Sequence, residues 1–318
     1  MRSAFRRRLL AWYDAHRREL PWRKDRDPYR VWLSEIMLQQ TRVAAVIEKY
    51  GQFLELFPGV EQMAAASQAS LLAAWSGLGY YRRARALHEA AQAIVNERGG
   101  RLPATAEEWR ELPGIGRYTS AAIASIAFGE RVAVVDGNVK RVAERLLGRR
   151  MASAEVWELA EELLSPLRPG DFNQAMMELG ATVCVPGEPK CLVCPVGNAC
   201  ATKGNLPGTE KTPRTTKATV FYALDCRDGK VTLRQRPKAA TVMPSMWELP
   251  QFLPNGAAPK VWLRLKHSIT TTNYDVQVVR EFGSDGGNET GERFAMERLG
   301  EIPLTGLTRK ILRAAEIL

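Results

Sequence analysis

Hydrophobic spacing changes once along this chain, and no other feature constrains the fold as strongly. Up to about residue 205 apolar residues recur three and four apart, as at Val139, Val142 and Leu146, the spacing that gathers side chains on one face of a helix. Gly and Pro punctuate the joints between such runs, among them "DPYRVWLSEIMLQQTRVAAVIEKYGQFLELF", "ASLLAAWSGLGYYRRARALHEAAQAIVNE" and "DFNQAMMELGATVC". Residues 205–217, "NLPGTEKTPRTTK", are polar and Pro-containing with no large apolar side chain except Leu206, which reads as a linker. Beyond it, "TVFYALDC", the turn chemistry of "RDGK" and "VTLRQRP" read as a hairpin. "SITTTNYDVQVVREF" reads as one further strand and "LTRKILRAAEIL" as a closing helix. The expected organisation is an all-helical domain over 1–204, a linker over 205–217 and an α+β domain over 218–318. A length of 318 residues suits two cores better than one.

Lys and Arg exceed Asp and Glu by 45 to 35, giving a formal net charge of +10 and pointing to a polyanionic partner. Nucleic acid leads acidic lipid, because no basic amphipathic anchor stands out. No uncharged apolar stretch approaches the length of a membrane span, and the N-terminus lacks the apolar core and cleavage site of a secretory signal. The chain is therefore expected in the cytoplasm, where its five cysteines would not pair as disulfides. No G-x-x-x-x-G-K-[ST] run occurs, which argues against a nucleotide-hydrolysing motor.

Four local patterns carry chemistry. "CVPGEPKCLVCPVGNAC" brings Cys184, Cys191, Cys194 and Cys200 into one loop-rich segment, suited to surround a metal centre; the spacing alone leaves zinc and an iron–sulfur cluster both open. Cys226 lies outside it and reads as a buried small hydrophobe. In "LPGIGRYTSAAI" a short helix runs into Leu112, Pro113, Gly114, Ile115 and Gly116, and a second helix begins at about Arg117. Backbone N–H groups and a helix N-terminus then converge on one point, which suits a phosphate as well as it suits an ordinary tight joint. Glu35 is crowded by Trp32, Leu33, Ile36, Met37 and Leu38; turned inward it becomes a protonated general acid, turned outward an ordinary helical Glu. Asp136, in "VAVVDGNVKRV", precedes a helix that Asn138 could cap, and a turn role for Asp136 competes with a catalytic one. A carboxylic acid paired with a carboxylate suits cleavage of a glycosidic bond through a cationic sugar-like transition state.

These motifs resemble one family. "LPGIGRYTSAAI" is similar to the helix–hairpin–helix of base-excision DNA glycosylases, "VVDGNVKRV" to the segment carrying their essential aspartate, and the cysteine loop to the [4Fe-4S] loop of the endonuclease III branch. "LPWR", "SEIMLQQT", "GLGYYRRARALH" and "GATVC" look like the MutY-type adenine DNA glycosylases. The resemblance implies a multidomain chain, an all-α glycosylase domain with the cluster loop followed by an α+β Nudix-like domain that reads 8-oxoguanine. It implies a monomer acting on double-stranded DNA with adenine opposite 8-oxoguanine or guanine. Glu35 would protonate the departing adenine and Asp136 face the cationic sugar, with Asn138 and Tyr118 positioning them. Tyr118 stands where lyase-active relatives carry a Schiff-base lysine, so the chain looks monofunctional. Gln40 and Tyr80 would probe the helix beside the lesion, and Leu112, Gly114, Gly116 and Arg117 would hold phosphate. Lys140 and Lys190 are further phosphate contacts on this reading, and surface solvation accounts for them equally well. Thr270 and Thr271 align where the family commonly has Ser-His, leaving lesion reading to them or to the displaced His267. The clustered glutamates of a Nudix catalytic box are missing. The alternatives are an endonuclease III-like pyrimidine glycosylase and lyase, and a noncatalytic iron–sulfur DNA-binding protein.

Overall fold

The computed structural model describes residues 2–206, 216–240, 242–254, 259–269, 272–280 and 291–318. The chain divides into two compact units, Met1–Ala65 with Ala86–Glu210, and Ala66–Arg85 with Lys211–Leu318. Residues 66–85, which the hydrophobic period assigns to the helical domain, thus cluster with the C-terminal strands. Among the described residues no helix is long and apolar enough to cross a membrane.

The helices run in chain order as α1 (Arg2–His16), α2 (Pro28–Leu38), α3 (Val43–Leu56), α4 (Val60–Ala65), α5 (Gln68–Ala74), α6 (Arg82–Arg98), α7 (Ala106–Arg110), α8 (Arg117–Ala127), α9 (Gly137–Leu147), α10 (Ser153–Leu163) and α11 (Pro169–Thr182). Their limits follow from local chemistry. Asp27 caps α2 by accepting from Arg30 N at 2.9 Å, with Pro28 pre-set in the first turn. Thr105 and Glu108 form a reciprocal capping box at α7, and Gly148 closes α9 in the left-handed region at φ 69°.

In the first unit, Phe5, Leu9, Leu10 and Tyr13 of α1 pack on Val139, Val142 and Leu146 of α9 and on Phe172, Met176 and Leu179 of α11. Helix α8 lies against α2, α7 and α11. It is lined by the buried small residues Ala121, Ala122, Ala124 and Ser125. Close approach there is enforced by Gly170 of α11, where a Cβ would sit 2.4 Å from Ser125 O. The stretch "DPYRVWLSEIMLQQTRVAAVIEKYGQFLELF", read as helical in pattern, is two helices, the chain breaking between Leu38 and Val43, where Gln40 takes φ 54°.

In the second unit, the strands are β1 (Thr216–Ala223), β2 (Cys226–Arg227), β3 (Lys230–Gln235), β4 (Trp247–Glu248), β5 (Gln251–Phe252), β6 (Leu263–Ile269), β7 (Thr272–Val279) and β8 (Glu292–Ala295), followed by α12 (Gly306–Ala314). One sheet has the order β5-β1-β7-β6, with β1 parallel to β7; the other joins β2-β3-β4, with β8 on β3. Two expectations are corrected. The hairpin through Asp228 and Gly229, at φ 50° and 68°, joins β3 to β2, whereas β1 pairs with β7 and β5. The single strand expected over 268–282 is the second half of an antiparallel pair, with His267 opposite Tyr274. The core is built from Tyr222, Leu224, Val231, Leu233, Val276, Val278, Leu304 and Ile311, with half-buried Cys226 at its margin rather than inside it.

Candidate active site

Helix α2 delivers Glu35 from a row whose neighbours Trp32, Leu33 and Met37 are fully enclosed, and the residue is itself only 7% exposed. It lines a cleft of about 480 Å³ shared with Tyr118, Asp136, Asn138, Gln39, Gln40, Met177 and Glu178. Tyr118, on the first turn of α8, donates its phenolic proton to Glu35 Oε2 at 2.8 Å and lies 3.4 Å from Met177 Sδ. Burial, opposed by that hydrogen bond and reinforced by the nearby Asp136 charge, pushes the Glu35 carboxyl up to about 7. Burial and the two carboxyl groups also hold the Tyr118 phenol well above its ordinary range, so it remains a neutral donor.

Asp136 is the N-cap of α9: Oδ1 accepts from Val139 N at 2.7 Å and Oδ2 accepts from Asn138 Nδ2 at 2.9 Å. The cap is therefore Asp136 and not Asn138, because the helix begins at Gly137, two residues before the start that an Asn138 cap would require. The turn role expected of Asp136 is thus the one seen, and as a cap its carboxylate is fixed in position at the start of α9. Arg141 Nη2 in turn donates to Asn138 Oδ1 at 2.8 Å and to Gly180 O at 2.7 Å, and its Nε to Cys184 O at 2.8 Å. Gly180 permits this geometry, for a Cβ there would meet Asn138 Cβ at 2.6 Å.

A third carboxylate escaped the sequence reading. Glu178 of α11, its side chain wholly enclosed, accepts from Arg18 Nε at 2.7 Å and Nη2 at 2.9 Å, and from Arg23 Nη2 at 2.9 Å. Burial alone would raise it, but the two guanidinium groups win and hold it at about 2. "MMELG" carried the signal that drew attention to Glu35, a lone acid in an apolar helical run.

The structure gathers Glu35, Tyr118, Asp136, Asn138 and Gln40 at one cleft from three separate stretches of chain. Tyr80 belongs to the second unit, 46% exposed and held at φ 46°. Non-glycine residues in the left-handed region store strain, and both residues expected to probe DNA are in it. In the hairpin, Leu112 and Ile115 are buried, while Gly114, at φ 73°, and Gly116 face solvent. The Arg117 guanidinium stacks 3.8 Å from the Trp157 ring centroid, which leaves its backbone as its part of the turn. Lys140 and Lys190 are exposed. Thr270 and Thr271 lie outside the described residues. His267 is half-buried, with its imidazole pushed down by burial and by Lys310.

The cysteines sit around the end of α11. Cys184 follows it, Cys191 opens a 3-10 turn that ends before Cys194, and Cys200 follows another. Buried Arg145 lies inside the loop, donating from Nη1 to Cys184 Sγ at 3.3 Å and to Val185 O at 2.8 Å, while its carbonyl accepts from Cys200 Sγ at 3.3 Å. Burial, and then the neighbouring Cys184, Cys200 and Cys191, push the Cys194 thiol up. Among the described residues no three His, Cys, Asp or Glu side chains converge as closely as a single metal ion requires.

Residues 33–166 match the family described as HhH-GPD superfamily base excision DNA repair protein. The chain is 51% identical over 213 residues to an adenine DNA glycosylase of Rattus norvegicus, covering 62% of this chain and 41% of that one. It is 50% identical over 213 residues to an adenine DNA glycosylase of Homo sapiens, covering 62% and 39%. It thus spans about two fifths of the length of these curated relatives. A thermostable thymine-DNA glycosylase of known structure superposes with a TM-score of 0.60 and 33% identity, covering 64% of this chain and 96% of the other.

Proposed function

The chain belongs to the HhH-GPD superfamily of base excision DNA repair proteins, and on that premise we propose that it is a monofunctional adenine DNA glycosylase acting on adenine opposite 8-oxoguanine and, more weakly, opposite guanine. The observation that carries the reading is a buried Glu35, its carboxyl pushed up to about 7 and bonded to a phenol, in the same cleft as Asp136, the N-cap of α9.

The chemistry follows from those positions. A stacked adenine hides both its glycosidic bond and its ring nitrogens, so the nucleotide must leave the helix before anything can reach them. Because Tyr118 donates to Oε2 of Glu35, the acid's own proton belongs on Oε1. Transfer of that proton to adenine N7 lets the C1′–N9 electron pair depart with the base. The sugar left behind carries positive charge, which the Asp136 carboxylate faces and stabilises. Water then bonds to C1′ and gives up a proton to a carboxylate, so the products are free adenine and an abasic sugar in an unbroken strand. A phenol cannot form the Schiff base that strand cleavage by a lyase needs, which supports the monofunctional assignment over an endonuclease III-like one. The Arg18 and Arg23 side chains, fixed by Glu178, line the cleft and offer N–H donors for a purine edge.

Cys184, Cys191, Cys194 and Cys200 would hold a [4Fe-4S] cluster. All four donors are thiols, and Arg145 Nη1 and Lys203 N direct N–H groups at Cys184 and Cys200 sulfur. When bound, such a cluster supplies a covalent staple for the loop and an electron-accepting centre. The second unit, with its mixed sheet and the "MWELP" strand β4, supports a Nudix-like domain that reads the lesion base.

Base release from duplexes with adenine opposite 8-oxoguanine, guanine, thymine or cytosine tests the assignment. Wild type should release adenine fastest opposite 8-oxoguanine, and Glu35→Gln and Asp136→Asn should release almost none. Equal release by all three proteins, or trapping of the wild type on DNA by borohydride, would refute it.

A further inference from the structure

Residues 75–81, "WSGLGYY", form a loop with positive φ at Gly77, Gly79 and Tyr80, 102°, 70° and 46°, of which only the last is costly. Non-glycine φ values of that kind persist only where surroundings over-determine them. Part of the restraint is local. Arg83 donates to Leu78 O and Gly79 O at 3.1 and 3.2 Å, Trp75 Nε1 donates to Gly79 O at 3.1 Å, and the Arg83 guanidinium lies 5.5 Å from the Tyr80 ring centroid.

The remaining restraint comes from a distant part of the same unit. Tyr81 Oη lies 3.2 Å from Leu304 O, and Ser76 Oγ lies 3.5 Å from that oxygen and 3.4 Å from Tyr81 Oη. Ser76, Tyr81 and Leu304 are 1%, 3% and 0% exposed, so no water can replace a lost partner there. Arg85 donates to Pro244 O, and Pro244 lies between Met243 and Ser245, themselves at φ 49° and 58°. The Leu304 segment is bonded in turn to strand β4: Trp247 N donates to Pro303 O at 2.9 Å, and Thr305 N donates to Trp247 O at 2.8 Å.

We infer that Ser76 and Tyr81, gripping the Leu304 carbonyl, are positioning residues that set the exposed Tyr80 ring, and that they join it through residues 303–305 to the Trp247–Pro250 segment. One body then carries both the segment assigned to lesion reading and the aromatic that probes the helix. This rests on the glycosylase reading for what Tyr80 does, though not for how it is held.

The test uses the full chain with three variants: Ser76→Ala with Tyr81→Phe, which removes both hydroxyls and keeps the ring; Tyr80→Leu; and all three changes together. Hydrogen exchange in free protein should quicken about tenfold across residues 75–84 in the first variant, as expected when a buried hydrogen bond is lost. That variant should also bind a duplex carrying an uncleavable adenine analogue opposite 8-oxoguanine about five- to tenfold more weakly, yet add nothing to the loss in Tyr80→Leu. Unchanged exchange, or binding losses that multiply, would overturn the proposal. Should wild type show no preference for that duplex, the glycosylase reading fails and the exchange result alone decides the clamp.

Discussion

Burial raises the Glu35 carboxyl from an ordinary 4.5 to about 7, so between those values the native chain binds a proton that the unfolded chain has released. Stability therefore falls as pH rises through that window, by about 3 kcal/mol in total, and the whole penalty is present above it. Glu35→Gln, whose amide oxygen still accepts from Tyr118, should unfold about 1–3 kcal/mol harder at pH 8 and near the wild-type value at pH 4, measured by denaturant titration. The same change should cost at least about 100-fold in adenine release. For the wild type, single-turnover release should fall about tenfold per pH unit above about 7, because only the protonated acid donates. A flat profile to pH 9 would remove Glu35 as the proton donor. The residue was legible in sequence because a lone acid in an apolar helical run is conspicuous. Glu178 carried the same mark and was passed over; its two guanidinium partners lie about 160 positions away in the chain and only folding reveals them.

Elements, more than individual side chains, fix where the acid and the carboxylate stand. Asp136 and Asn138 ride on the first turn of α9, which approaches α11 at Gly180 with no room for a methyl group. Gly180→Ala should press α9 outward and lower base release about tenfold or more, while costing about 1–3 kcal/mol of stability as an overpacked contact. Thermal melting beside single-turnover kinetics separates the two effects. At the hairpin, a Cβ on Gly114 would meet Ala86 Cβ at 2.5 Å with φ already at 73°. Gly114→Ala should therefore destabilise and weaken DNA binding, and Ala86→Gly should restore only the packing share of that loss. The helices were readable from their period, whereas the caps at Asp27 and Thr105 were not singled out and the one placed at Asn138 belongs to Asp136. The breaks at Gln40 and Tyr80 were not, because a non-glycine residue in the left-handed region leaves no mark in composition. The strand pairing also escaped: parallel β1 and β7 meet across more than 50 residues, and no local spacing reports such a partner.

Across the whole molecule, the formal charge of +10 overstates what is free to meet a polyanion. Arg18 and Arg23 are bound to Glu178, Arg168 to Asp14 and Asp171, and Arg145 is enclosed in the cysteine loop. Arg117, Lys140 and Lys190 are all exposed, but the Arg117 guanidinium is engaged by stacking on Trp157. These cations were indistinguishable in the sequence, where each was equally a phosphate contact or a solvated surface charge. Salt dependence separates them. Each phosphate neutralised contributes about 0.9 to the slope of log affinity against log salt concentration. Binding to an undamaged duplex, measured by fluorescence anisotropy between about 50 and 200 mM salt, should lose about one unit of slope in Lys140→Gln and again in Lys190→Gln. Arg117→Gln should leave the slope nearly unchanged and lower the melting temperature through the lost stacking on Trp157. A full unit lost on removing Arg117, with none lost at either lysine, would mean that the guanidinium leaves Trp157 to meet phosphate and that the exposed lysines serve only solvation.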